Sequence, residues 1–135
     1  MGDQGLDRKR RYGRLLDRVQ VNAPYRQLVD KYLELFLRYG INPEIGFDAL
    51  ALETASQEAM AEMARLMEEQ GRTITFHGPF MDLATGGLDE RIREVTAWRL
   101  QQTMELVPIF RPQSVVFHAG YDERRYHAHR AEWLS

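Results

Sequence analysis

The chain has no cysteine among its 135 residues, so disulfides and thiolate metal sites are excluded, and any metal it binds must be held by His, Asp or Glu. No apolar run approaches the roughly 20 residues that a membrane-spanning helix needs. The N-terminus is charged rather than signal-like, and Leu6 stands where a myristoylation start requires Ser or Thr. Charge of one sign is also lacking: 18 basic against 20 acidic residues leave a net −2, which argues against a broad nucleic-acid surface. The expected setting is therefore cytoplasmic, with no membrane partner. What is present, 44% hydrophobic and 28% charged residues, fits one globular domain with a real core.

One short pattern recurs. Thr73-Ile74-Thr75-Phe76-His77-Gly78-Pro79-Phe80 is matched in chemical type, 41 residues later, by Ser114-Val115-Val116-Phe117-His118-Ala119-Gly120-Tyr121. Val19-Gln20-Val21-Asn22-Ala23-Pro24 has the same shape with Asn in place of His, and Glu44-Ile45-Gly46-Phe47-Asp48-Ala49 puts Asp there. Each run ends on a polar group able to bind or catalyse, at positions 22, 48, 77 and 118.

Helical periodicity fills the intervals. Tyr25, Leu28, Val29, Tyr32, Leu33 and Phe36 fall on one face of a helix that Gly40 stops. Thr54 and Gln57 form a candidate capping box for a second helix, with Ala59, Met60, Met63, Leu66 and Met67 as its core stripe and Gly71 as its close. Residues 81–88, with Gly86-Gly87, predict a mobile loop. Asp89 then caps a helix using Ile92, Thr96, Leu100, Met104 and Val107, which Pro108 kinks or ends. Strands are expected over 19–21, 44–47, 72–76 and 114–117. Residues 1–17, with Arg8-Lys9-Arg10-Arg11, read as an N-terminal tail, and 18–135 as the folded domain.

Strand-helix order repeated four times predicts an α/β fold of parallel βαβ units with right-handed crossovers. Alternation puts Glu44, Gly46 and Asp48 on one face, and Thr73, Thr75 and His77 likewise. In a TIM-type barrel that face points inward and its last residues reach the C-terminal rim, where active sites lie. A (β/α)₈ barrel takes about 250 residues, so the chain would supply a parallel (βα)₄ half, completed by self-association or by a C-terminal half. The rival is a small open sheet with helices on both faces.

Phe76-His77-Gly78-Pro79-Phe80 and Val116-Phe117-His118-Ala119-Gly120-Tyr121 resemble strands three and four of the xylose isomerase-like barrels, and Pro43-Glu44-Ile45 resembles their second strand. That superfamily includes sugar phosphate isomerases and epimerases, and endonuclease IV of the AP endonuclease family 2. The resemblance spans residues 18 to 135. It implies zinc-ligand roles for His77 and His118, as at the same strand ends of endonuclease IV. Many isomerases of the superfamily take Glu, Asp, His and Glu ligands from strands of the second half, which this sequence does not contain.

Neutral imidazoles on adjacent strand ends suit Zn²⁺ or Mn²⁺. Catalytic zinc takes three protein ligands, so Asp48 is a candidate third, with Glu44 deeper on the same face. Asn22 and Asp48 are candidate substrate-binding groups, and Asp82 and Asp122 could orient the imidazoles. The first functional reading is a metal-dependent isomerase or epimerase acting on a sugar or sugar phosphate, with Glu44 and His118 as catalytic groups. The second is an endonuclease IV-like zinc phosphodiesterase on abasic DNA, although the four run ends carry no Lys or Arg. The third is a non-catalytic half-barrel that dimerises through its open edges. A homo-oligomer is expected.

Overall fold

The computed structural model describes residues 12–135; the Arg8-Lys9-Arg10-Arg11 run lies outside the described residues. Residues 12–16 are helical. They are tied to the body rather than forming a free tail: Asn42 Nδ2 donates to the carbonyl of Leu16, and Arg72 pairs with Asp17.

Four strands, β1 (Gln20–Pro24), β2 (Asn42–Gly46), β3 (Thr75–His77) and β4 (Val115–Val116), form one parallel sheet in the order β1-β2-β3-β4. This order contains no reversal, whereas a doubly wound sheet reverses its strand order at a switch point. Sequential parallel strands are consistent with half of a barrel wall. The register aligns Asn22 with Glu44 and Glu44 with Thr75, then Gly46 with His77 and His77 with Val116. The predicted strands are found, displaced by one to three residues. Pro43 reads as an entry to β2, yet it lies inside the strand; pairing with β3 begins only at Glu44, past the missing N–H.

Helix α1 comprises Tyr25–Gln27, a π-helical segment Leu28–Tyr32, and Leu33–Tyr39. The wide π turn changes which residues face inward: Tyr25, Leu28 and Phe36 are buried, while Val29 and Tyr32, expected on the same face, are exposed. Gly40 ends the helix as anticipated. Helices α2 (Ala49–Thr54) and α3 (Gln57–Glu69) follow β2. The cap of α3 is Ser56, whose hydroxyl accepts from Ala59 N; Thr54 instead closes α2, so the predicted capping box does not form. The methionine stripe is core, with Met60, Met63 and Met67 buried.

Helix α4 (Glu90–Glu105) is capped by Asp89 and separated from α5 (Val107–Phe110) at Leu106, where Pro108 ends the longer helix. Its buried residues are Thr96 and Thr103, while Ile92 and Met104 are exposed, against expectation. The Thr96 hydroxyl donates to Ile92 O (2.7 Å) and accepts from Ala84 N (3.0 Å), so it enters the interior fully satisfied. Those bonds also correct the expectation of a mobile loop over 81–88. Thr85 N and Oγ1 donate to Ala119 O at 3.1 and 2.9 Å, and Gly87 N to Ala84 O, stitching this loop to α4 and to the segment after β4. The chain ends in α6 (Glu123–Tyr126), a 3₁₀ turn (His127–His129) and α7 (Arg130–Trp133).

The core sits between the sheet and the helices. Ile45 and Phe76 are fully buried there, and Phe47, Phe76 and Phe110 meet edge to face with centroids 4.9–6.2 Å apart. Burying a side chain of this size contributes about 1.5–3 kcal/mol. Because side chains alternate, burying Ile45 and Phe76 on this side sends Asn22, Glu44, Thr75 and His77 to the other.

Candidate functional site

His77 is the last residue of β3, and His118 lies two residues beyond β4. Parallel pairing of the two strands brings both to one end of the sheet. Their Nε2 atoms are 2.9 Å apart and their ring centroids 4.9 Å apart. His77 Nδ1 is 3.0 Å from Gly78 O. A carbonyl only accepts, so Nδ1 of His77 carries a proton, and between the rings one Nε2 donates and the other accepts.

Phe80 packs against both imidazoles, edge-on to His77 (5.3 Å) and tilted over His118 (5.0 Å). Sequence reasoning assigns it no role. The only hint is the aromatic placed three residues after each histidine. The second such aromatic, Tyr121, turns away instead, onto Tyr126 and Trp133. The sequence repeat therefore brings the two histidines together but does not carry over to the aromatics that follow them.

Glu44 lies one inward position below Gly46, the register partner of His77, and accepts a 2.8 Å hydrogen bond from Asn22 Nδ2. This joins a candidate catalytic carboxylate to a candidate substrate-binding amide. Asp48 lies past the end of β2 and does two structural jobs: Oδ1 accepts from Ala51 N (2.7 Å) as the cap of α2, and Oδ2 pairs with Arg26 at 2.9 Å. Burial pushes its carboxyl up, but the Arg26 hydrogen bond and charge and the Ala51 amide outweigh that and hold it below the usual carboxylate range. The Arg26 partner gives no signal in the sequence. Asp122 caps α6, and Asp82 adopts a left-handed backbone (φ 61°). His127 and His129 face solvent beside Glu123 (2.7 Å) and Glu132 (3.0 Å).

The two imidazoles thus converge, hydrogen-bonded Nε2 to Nε2, with the second nitrogen of His77 held on a backbone carbonyl. Catalytic zinc takes three protein ligands. Among the described residues no group of three or more His, Asp or Glu side chains could hold a metal ion. Next to the pair, loops following β2 and β3 enclose a cavity of about 310 Å³ bounded by Asp48, Leu50, Phe80, Met81, Asp82 and Arg99.

No protein-family model matches the chain, and no curated protein does. Among solved structures it is similar to the TTHB071 protein from Thermus thermophilus, soaked with ZnCl₂, with a TM-score of 0.64 and 18% sequence identity. The match covers 84% of this chain and 46% of that one, so the chain spans less than half the length of this neighbour, and the likeness is one of fold.

Proposed function

We propose that the chain belongs with the xylose isomerase-like barrels and forms the N-terminal part of a metal-dependent sugar isomerase or epimerase site. The observation that carries this reading is the 2.9 Å approach of the two imidazole Nε2 atoms at the C-terminal ends of neighbouring parallel strands. His77 and His118 would hold a divalent ion such as Zn²⁺ or Mn²⁺, which supplies polarisation of a carbonyl or hydroxyl oxygen when bound. Glu44, hydrogen-bonded by Asn22 on the same face, would move a proton, and His118 is the second candidate for that role. Ligands beyond the two histidines would come from across the barrel, either from a second copy related by a twofold axis or from a further half of a longer chain.

The reading is tested by titrating the purified protein with Co²⁺ and following its visible absorption, then assaying aldose-ketose exchange in the metal-loaded protein. The His77→Ala/His118→Ala double variant should lose the Co²⁺ spectrum and any exchange activity. A spectrum that persists in the double variant overturns the site. Sedimentation equilibrium at micromolar concentration tests closure by self-association, for which a dimer is expected and a monomer is the contrary result.

A further inference from the structure

Strand β4 comprises only Val115 and Val116, so His118 lies beyond the ladder and other contacts must set its place. Before it, Phe117 packs on Gly78, where a Cβ would come within 2.3 Å of the ring. After it, Ala119 O accepts both Thr85 bonds, and the backbone of Gly120 lies against Leu83 and Ala84. The Tyr121 ring then meets Trp133 edge-on, with centroids 4.9 Å apart. Trp133 also closes on the loop after β3: a Cβ at Gly86 would lie 2.0 Å from Trp133 O and 2.5 Å from its Cδ2. Gly86 holds no positive φ, so the position needs glycine for space rather than for backbone conformation. One residue thus touches both the loop and the segment that carries His118.

Trp133 reaches this seat from a segment that has little else to hold it. Over residues 122–135 only Tyr126 and Trp133 are not exposed. The side-chain hydrogen bonds of the segment, such as Tyr121 to Glu123 (2.7 Å), His127 to Glu123 (2.7 Å) and His129 to Glu132 (3.0 Å), stay within residues 121–135. Helices as short as α6 and α7 do not persist unaided. The rings of Tyr126 and Trp133, gathered around Tyr121, are therefore what docks α6 and α7 onto the body, and burial of aromatic surface drives it. The indole Nε1 is buried there with no hydrogen-bond partner among the described residues. A buried indole N–H ordinarily finds one, so the bulk of the ring rather than its polar end is what the notch at Gly86 receives.

We infer that Trp133 is a positioning residue for the imidazole pair: α6 and α7 form a strap that docks through it, ties Gly86 to Tyr121, and so holds His118 within hydrogen-bond reach of His77. The placement stands on these contacts, and its consequence for metal rests on the metal-site reading above. The test uses the full chain with isotope-labelled histidine, following the imidazole nitrogen resonances by NMR and titrating Co²⁺ into the same samples. In wild type the two Nε2 resonances should show one donor and one acceptor of a shared hydrogen bond. Trp133→Ala should move both toward solvent-averaged values and weaken Co²⁺ binding about tenfold, as loss of support behind a ligand does. Trp133→Phe, which keeps a ring and removes the unpartnered N–H, should retain the wild-type resonances and bind Co²⁺ as wild type does. Gly86→Ala, which closes the notch, should reproduce Trp133→Ala. Amide exchange at Ile45 and Phe76 should be unchanged in all three variants. Unaltered imidazole resonances in Trp133→Ala, or a Trp133→Phe variant that behaves as Trp133→Ala, overturn the inference. So does lost protection at Ile45 and Phe76, since Trp133 would then support the core rather than the pair. Wild-type protein that takes up no Co²⁺ sinks the metal reading alone, because the imidazole resonances still report the placement.

Discussion

Two glycines test whether the loop after β3 is held against the segment carrying His118. Gly71 and Gly120 share a left-handed backbone, at φ 65° and 75°, but differ in surroundings. A Cβ at Gly71 would meet nothing within 4 Å, whereas one at Gly120 would lie 2.4 Å from Leu83 O and 2.9 Å from Ala84 Cα. Alanine at Gly71 therefore incurs only the conformational penalty, about 1–2 kcal/mol. At Gly120 the same penalty is joined by an overlap with backbone, which cannot rotate away; overpacking of this kind costs about 1–3 kcal/mol more. At about 2.1 cal/mol/K per residue, unfolding 135 residues carries roughly 0.28 kcal/mol/K of entropy. Gly71→Ala should thus lower Tm by about 4–7 °C and Gly120→Ala by about 7–18 °C. Thermal melts by circular dichroism at one fixed protein concentration read both. Because Ala119 O accepts both Thr85 bonds beside His118, Gly120→Ala should also weaken Co²⁺ uptake, and Gly71→Ala should not. Equal Tm losses for the two variants would refute the close approach of these loops and with it the fixed placement of His118.

Asp48→Ala should destabilise by about 1 kcal/mol through loss of the α2 cap. Asp48→Asn keeps a capping oxygen and should cost only a few tenths, since an exposed pair such as Arg26–Asp48 contributes little; chemical denaturation distinguishes the two. Ile45→Ala empties a fully buried position and should cost about 2–5 kcal/mol by the same assay. Thr75 is only 7% exposed and its hydroxyl has no hydrogen-bond partner among the described residues, so Thr75→Val should raise stability by about 1 kcal/mol, and a clear loss would show that the hydroxyl is satisfied in solution.

The repeated run ending in a polar residue is legible because two demands coincide at a parallel strand end. β-Branched and aromatic residues fill the pleat, and a residue at its end or just past it can face the open end. That is why spacing alone suffices to place His77 and His118 together. Asp48 breaks the pattern for a local reason: its strand ends at Gly46, and two residues later the nearer demand is a cap for α2, which an aspartate meets at once. In α1 the apolar letters follow a 3.6-residue period, but the π turn from Leu28 to Tyr32 shifts the phase and turns Val29 and Tyr32 outward. In α4 the discrepancy runs the other way. Its apolar letters outrank its threonines as core candidates, yet hydroxyls bonded to Ile92 O and to Arg99 O bury as readily as apolar groups. Arg26 and Arg99 carry no sequence signal of their own, since each matters only through a neighbour that the fold brings to it.

The division of labour between the two faces of the sheet explains how such a chain can fold before its site is complete. Its apolar core lies on the helix side, where Ile45, Phe76 and the methionines of α3 are covered by the chain's own helices. The opposite face presents Asn22, Glu44 and His77, which are wholly or partly open to water, and Asn22 and Glu44 satisfy one another there. Folding therefore does not require that the polar face be covered. In the proposed barrel, closure would act on the chemistry instead: it would exclude water from that face and strengthen the electrostatics around Glu44 and the imidazole pair.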